Sequence, residues 1–256
     1  MVGIDLAWGR RAPSGLCAVA ADGAVTASAT VVSDDEIVSW MGEWAPEPAV
    51  VGFDAPLVVN NLAGRRECEA LVSRAFGPEK AGVYPSNRSM AAFADGGRAF
   101  HLSRRLGLAL DPVSAAERGC GLAVEVFPHS ALVALFGLEV RLAYKSGRGR
   151  SVDARREEMG RLASLVVALS GVGPGLRAEV GPQWSALFHV IPNSTRHVDL
   201  DRVEDELDAH VCAFVARLLA ADLADGGSRV RVLGEWSEGA VVTPVDERHV
   251  GRLGQG

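Results

Sequence analysis

Three short apolar runs each carry a single acid: Asp5 in "GIDLA", Asp54 in "VGFDAP" and Glu125 in "AVEVFP". Aspartate is a poor strand former, and an unpaired carboxylate is costly to bury. One acid at a strand end reads as a turn or cap former. Three of them, on three buried strands, constrain the fold more tightly. Gathered near one sheet edge they would repel one another and lose their hydration together, and a divalent cation is the simplest compensation. Mg²⁺ or Mn²⁺ suits such a site, because hard cations take carboxylate and water oxygens.

The elements between these runs give an α/β layout. Residues 2–6, 15–20 and 24–32 read as a three-strand meander, with "ADG" at 21–23 as a turn. Ser33 then stands as an N-cap, and Ile37, Trp40, Met41 and Trp44 follow at helical spacing. Residues 49–57 form a buried strand that reaches Asp54 just before Pro56. Residues 60–118 are polar and lack strand patterning, which predicts a helical insertion. A third acid-bearing strand at 121–130 leads into a helix at about 130–137. A basic loop, an amphipathic helix closed near Gly171, the longest helix at 199–227 and a closing hairpin complete the chain. No GxGxxG follows the first strand, so this is not a dinucleotide-binding start.

Composition narrows the class. The 256 residues suit one domain, 1–256. Cys17, Cys68, Cys120 and Cys212 are scattered with no CxxC pair, which supports neither a zinc ribbon nor a disulfide framework. A reducing, cytoplasmic setting is therefore expected, with no signal-peptide pattern and no membrane span. The net charge of −6 counts against broad, sequence-independent DNA affinity. Aromatic residues make up only 6%, which weakens any reading built on base-stacking platforms.

The late helix adds further acids. In "VEDELDAHVCAF", Asp205 and Asp208 are spaced i, i+3 and share a helix face, with Glu204 and Glu206 read as off that face. A solvated acidic turn favoured by the helix dipole would look the same. However, the helix body that follows is apolar with small residues, so it would pack closely on a sheet and bring the acids to its edge. Acids on separate strands and a late helix form a two-metal phosphoryl-transfer constellation, since no single strand can surround two ions.

Cations for a substrate lie in the loop at 141–156, where Arg141, Lys145, Arg148, Arg150, Arg155 and Arg156 face one acid, Asp153. Its glycines could lay backbone amides along a phosphate chain. A solvated loop is the alternative. Arg65 and Arg66 in "GRRECE" and Arg88 in "YPSNRSM" could border the site from the insertion. His129 and His210 read as structural, and the cysteines as core.

The segments "GIDLAWG", "VGFDAPL", "VEVFPHSAL", "YKSGRG", "DELDAHVCAFVARLLA" and "GEWSEGAVVTPV" resemble, in order and over nearly the whole chain, a family of predicted RNase H-like nucleases of unknown function. The likeness extends more remotely to the Holliday-junction resolvases. The resemblance implies a five-stranded mixed sheet flanked by helices, with 60–118 as a family-specific insertion. It implies Asp5, Asp54, Glu125 and Asp205 or Asp208 as metal carboxylates, and it singles out Lys145 through the "YK" pair. The expected activity is metal-dependent hydrolysis of a nucleic-acid phosphodiester. Two alternatives stand beside it: an actin-like phosphotransferase or ATPase, and a non-catalytic metal- or nucleotide-binding regulator. Nucleic acid or a phosphorylated small molecule is the expected partner, and a homodimer is allowed.

Overall fold

The computed structural model describes residues 1–254. The chain starts with a meander, β1 (Val2–Asp5), β2 (Ser14–Val19) and β3 (Val25–Val31). Helix α1 (Asp34–Trp44) follows, its start fixed by Ser33, whose hydroxyl accepts the Glu36 amide while Glu36 reaches back to the Ser33 amide. Strand β4 (Val50–Phe53) comes next. Residues 60–118 carry three helices, α2 (Glu67–Phe76), α3 (Arg98–Arg105) and α4 (Pro112–Arg118). Then come β5 (Leu122–Val126), α5 (Pro128–Phe136), α6 (Val152–Ala168), α7 (Trp184–Asn193) and α8 (His197–Asp225). The hairpin β6 (Arg231–Glu235) and β7 (Gly239–Thr243) leads to α9 (Glu247–Leu253). Helices α7 and α9 are not among the elements expected above, although Trp184, Leu187, Phe188 and Ile191 stand at helical spacing; Pro192 sits inside α7.

The sheet has seven strands in the order β3-β2-β1-β4-β5-β7-β6. This corrects the five strands expected from the resemblance. The closing hairpin does not stand apart: β7 pairs in parallel with β5 through Glu125–Val241 and Val126–Val242. All five β7 residues are buried, so leaving the hairpin off the sheet would expose an apolar strand. The sheet is mixed, with β1, β4, β5 and β7 parallel and the meander and hairpin antiparallel.

Helix α8 crosses one face of the sheet over β1, β2 and β4. Its residues from Glu206 to Leu219 are all buried, because α5, α6 and α7 cover its other side. Small residues let it lie close. A Cβ on Gly3 would collide with the Ala209 carbonyl oxygen, and one on Gly15 with that of Asp205. The opposite face holds α1 and α3 over Ile4, Val51 and Phe53. Among the described residues no helix is long and apolar enough to cross a membrane.

His210 shows how tightly α8 is enclosed. Its Nδ1 donates to the Glu206 carbonyl at 2.7 Å and its ring meets Trp184. Burial lowers its pKa from 6.5 to about 4. The native state therefore keeps this ring neutral where the unfolded chain protonates it. Its contribution is full above pH 6.5 and is lost as pH falls toward 4. The stability advantage of the wild type over His210→Gln should shrink by about 3 kcal/mol across that interval, as measured by urea unfolding. An advantage that does not change with pH would contradict this account of the ring.

Candidate metal centre

Strand register places the first two acids. Ile4 pairs with Phe53, and the Asp54 amide donates to the Ile4 carbonyl at 2.8 Å. Asp5 and Asp54 therefore stand side by side at the carboxyl ends of adjacent parallel strands, where open α/β sheets place their ligands. Residues alternate faces along a strand, so both point away from Ile4 and Phe53 and toward α8. Helix α8 supplies Asp208. One carboxylate oxygen from each of Asp5, Asp54 and Asp208 lies within 4.8 Å of the others.

Glu125 does not join this group. It is in register with Phe53, not with Asp54, so the same alternation turns it to the opposite face. There it takes a two-point ion pair from Arg66, at 2.7 and 2.8 Å, and accepts the Leu57 amide at 3.2 Å. Arg66 is also held by Glu69 at 2.8 Å.

Asp208 is fully buried. Its Oδ1 accepts the Tyr144 hydroxyl at 2.7 Å, and its Oδ2 faces Lys145 Nζ at 2.7 Å without a well-aligned hydrogen bond. Lys145 Nζ also lies 3.8 Å from Glu204 and 4.0 Å from Asp54. Its side chain remains 35% exposed, so one end of the site is open. Behind it, the fully buried Arg155 donates to the Tyr144 carbonyl at 2.7 Å and pairs with Glu204 at 2.6 Å and Asp201 at 2.7 Å. Arg155 thus ties the loop that carries Lys145 to the helix that carries the acids. Glu204, expected off the face of Asp205 and Asp208, meets the same ammonium as Asp208, as the i, i+4 spacing of the two allows.

The electrostatics follow from crowding. Burial raises Asp5 well above the carboxylate range; Lys145 opposes that, and Asp54, Asp208 and Asp205 add to it. Asp54 is raised to about 7, first by burial and then by Asp208 and Glu125, against Lys145. Asp205 is raised to about 8 by burial and by its neighbours Glu204 and Asp208. Lys145 loses from burial but gains more from Asp208, Asp5 and Asp54, and is held well above its ordinary value. Several acids around one ammonium leave this site short of positive charge.

Asp205 lies beside the group, on a cleft of about 810 Å³ that Asp5, Glu204 and Arg202 also line. Of the cations singled out in the sequence, Arg150 turns back onto the Lys145 carbonyl, and Arg148 is exposed on the same loop with no ion pair among the described residues. Arg65 reaches the Val83 carbonyl at 3.5 Å, and Arg88 that of Ala94 at 2.9 Å. Neither makes a contact with the carboxylate group. His129 is buried between Phe127 and Tyr144.

A family model described as "Protein of unknown function (DUF429)" matches residues 3–231. Neither the curated proteins nor the solved structures compared with the chain give a match.

Proposed function

The chain belongs to the DUF429 family, whose model covers most of its length, and from its carboxylate centre we propose that it is a divalent-metal-dependent hydrolase of nucleic-acid phosphodiesters. The observation that carries this reading is the convergence of Asp5, Asp54 and Asp208, from three separate elements, to within 4.8 Å. The donors fit a hard cation: all are carboxylate oxygens, and a buried Asp208 oxygen faces the group without a well-aligned hydrogen bond. Mg²⁺ or Mn²⁺ would be held by these three, with Asp205 and Glu204 alongside. The meander followed by parallel β4 and β5 supports the ribonuclease H-like reading, with the β6–β7 hairpin as an addition.

A bound divalent ion would supply an activated water and charge for the leaving oxygen. The chain's own residues do the rest. The Tyr144 hydroxyl fixes the rotation of the Asp208 carboxylate, leaving Oδ2 to face inward. Lys145 supplies the positive charge among the acids, and its open side lets the ammonium turn to a substrate phosphate. Arg148, exposed on the same loop and without an ion pair among the described residues, extends that cationic edge. Before the ion binds, burial and neighbouring acids raise Asp54 to about 7 and Asp205 to about 8, so taking up the cation would release protons near neutral pH.

The net charge of −6 favours a second reading, a small phosphorylated substrate in place of a long nucleic acid. One experiment separates the two. Mn²⁺ is titrated by calorimetry into the wild type and Asp5→Asn, and both are assayed on DNA, RNA, branched junctions and dinucleotides. The proposal expects saturable binding and cleavage of a polymer, both lost in Asp5→Asn. Cleavage of dinucleotides alone selects the small substrate. Absence of Mn²⁺ binding by the wild type overturns the metal centre.

A further inference from the structure

The other side of Asp54 opens into a small cavity of about 80 Å³, lined among others by Trp8, Tyr84, Arg66, Glu125 and Phe127. In a chain with few aromatics, two of the exposed ones stand at this one cavity. Tyr84 is 78% exposed and Trp8 39%. Both lie in loops, yet neither sits on a loosely held backbone.

Trp8 is gripped from both sides. The buried Arg98 donates to the carbonyls of Ala7 at 2.9 Å and Gly9 at 3.2 Å, the residues flanking Trp8. Arg98 is itself fixed by Asp34 at 2.7 Å and by the Val32 carbonyl at 3.0 Å. The Trp8 ring rests edge-on against Phe93, with centroids 4.9 Å apart. Tyr84 precedes Pro85, whose ring fixes its own φ. Ser86, the next residue, donates its amide to the buried Glu69 at 2.9 Å, and Glu69 is locked by Arg66.

A core explanation fails for rings left this open to water, and a mobile-loop explanation fails for backbones held by two buried ion networks. Rigid, exposed rings are pre-organised binding platforms, because little freedom is lost when a ligand stacks on them. What stacks there is set by the neighbour. Asp54 lines both this cavity and the carboxylate centre, so a group bound here lies next to whatever is bound there.

We infer that Trp8 and Tyr84 form a stacking site for an unpaired nucleobase next to the phosphodiester at Asp5, Asp54 and Asp208, which makes single-stranded nucleic acid the substrate class. The inference rests on the function proposed above for that centre. A base inside a duplex has both faces covered by its neighbours, so only an unpaired base can lie on these rings. Stacking is tolerant of sequence, since every base has a π face. Lys145 and Arg148, on one loop, would take the neighbouring phosphates.

The test is fluorescence anisotropy on the full chain carrying Asp5→Asn, so that strands stay whole. The probes are labelled oligothymidylate, its abasic counterpart of equal length, the same strand in a duplex, and oligouridylate. The base-bearing strand should bind about tenfold tighter than the abasic one. The duplex should bind no better than the abasic strand. Trp8→Ala and Tyr84→Ala should each reduce the base-dependent gain, and Trp8→Phe and Tyr84→Phe should keep it. Equal gains with thymidylate and uridylate place recognition on the base alone; a gain with one only names that strand as the source. Equal binding of base-bearing and abasic strands overturns the inference, as does a gain that survives both alanine variants. Failure of the parent reading looks different: the wild type with Mn²⁺ would then cleave no strand even where the base-dependent gain is present.

Discussion

Gly15→Ala is expected to destabilise the protein by about 3 kcal/mol, or roughly 10 °C in Tm, and to abolish Mn²⁺ binding with it. A Cβ at this position would occupy the space of the Asp205 carbonyl, and nearby lie the Asp205 carbonyl carbon and the Glu206 amide nitrogen. These are backbone atoms of a helix buried on both sides, so no flexible side chain can move aside. The helix must lift from β2, and the shift falls on the turn that carries Asp205 and Asp208. Carboxylates within 4.8 Å of one another tolerate little displacement as a ligand set. Gly160→Ala in α6 is the control. A Cβ there meets nothing within 4 Å, and in a helix interior the change should stabilise by about 0.5–1 kcal/mol. Thermal unfolding of the two variants, with calorimetric Mn²⁺ titration, checks both halves. A Gly15→Ala protein as stable as the wild type would mean that α8 does not lie as close as described.

Arg155→Met should cost about 3–5 kcal/mol. Arg155 is fully buried and serves two carboxylates and the carbonyls of Tyr144 and His197. Methionine fills much of the same volume but removes the guanidinium that joins those acceptors. Glu204, already raised by burial and by Asp208, would retain only Lys145 as a cationic neighbour. Arg155→Lys should rescue little, because one ammonium cannot span acceptors that the planar guanidinium reaches together. The released Tyr144–Lys145 backbone should also become sensitive to limited proteolysis near residues 144–150, before global unfolding. Chemical denaturation measures the first effect and a proteolytic time course the second. Unaltered stability in Arg155→Met would show that this network contributes no net free energy.

The acids that gather at the centre were legible for an elementary reason: an acid inside an apolar strand is costly to bury unless something compensates it. Asp5 and Asp54 stood out on that ground, and the i, i+3 pair on the late helix marked where a third acid comes from. Apart from α7 and α9, the order of strands and helices was legible for a similar reason, since buried parallel strands leave continuous apolar runs that turns and caps punctuate. Ser33 announced α1 through the Glu36 that completes its capping box.

Tertiary structure decided what pairs with what. Glu125 looked like Asp54 in one dimension, but register turned it to the other face and Arg66, 59 residues away in sequence, neutralised it. Lys145 is legible as a cation for phosphate, but its place among the carboxylates follows only from the loop that carries it being tied down by Arg155. The hairpin that closes the chain was visible, but its docking on β5, which makes a sheet of seven strands, depends on a distant apolar edge. The low aromatic content argued against stacking platforms, whereas the fold sets two exposed rings beside Asp54. Local pattern records what each residue costs to bury. Which residues share that cost is a property of long-range contact, and only the folded chain brings those residues together.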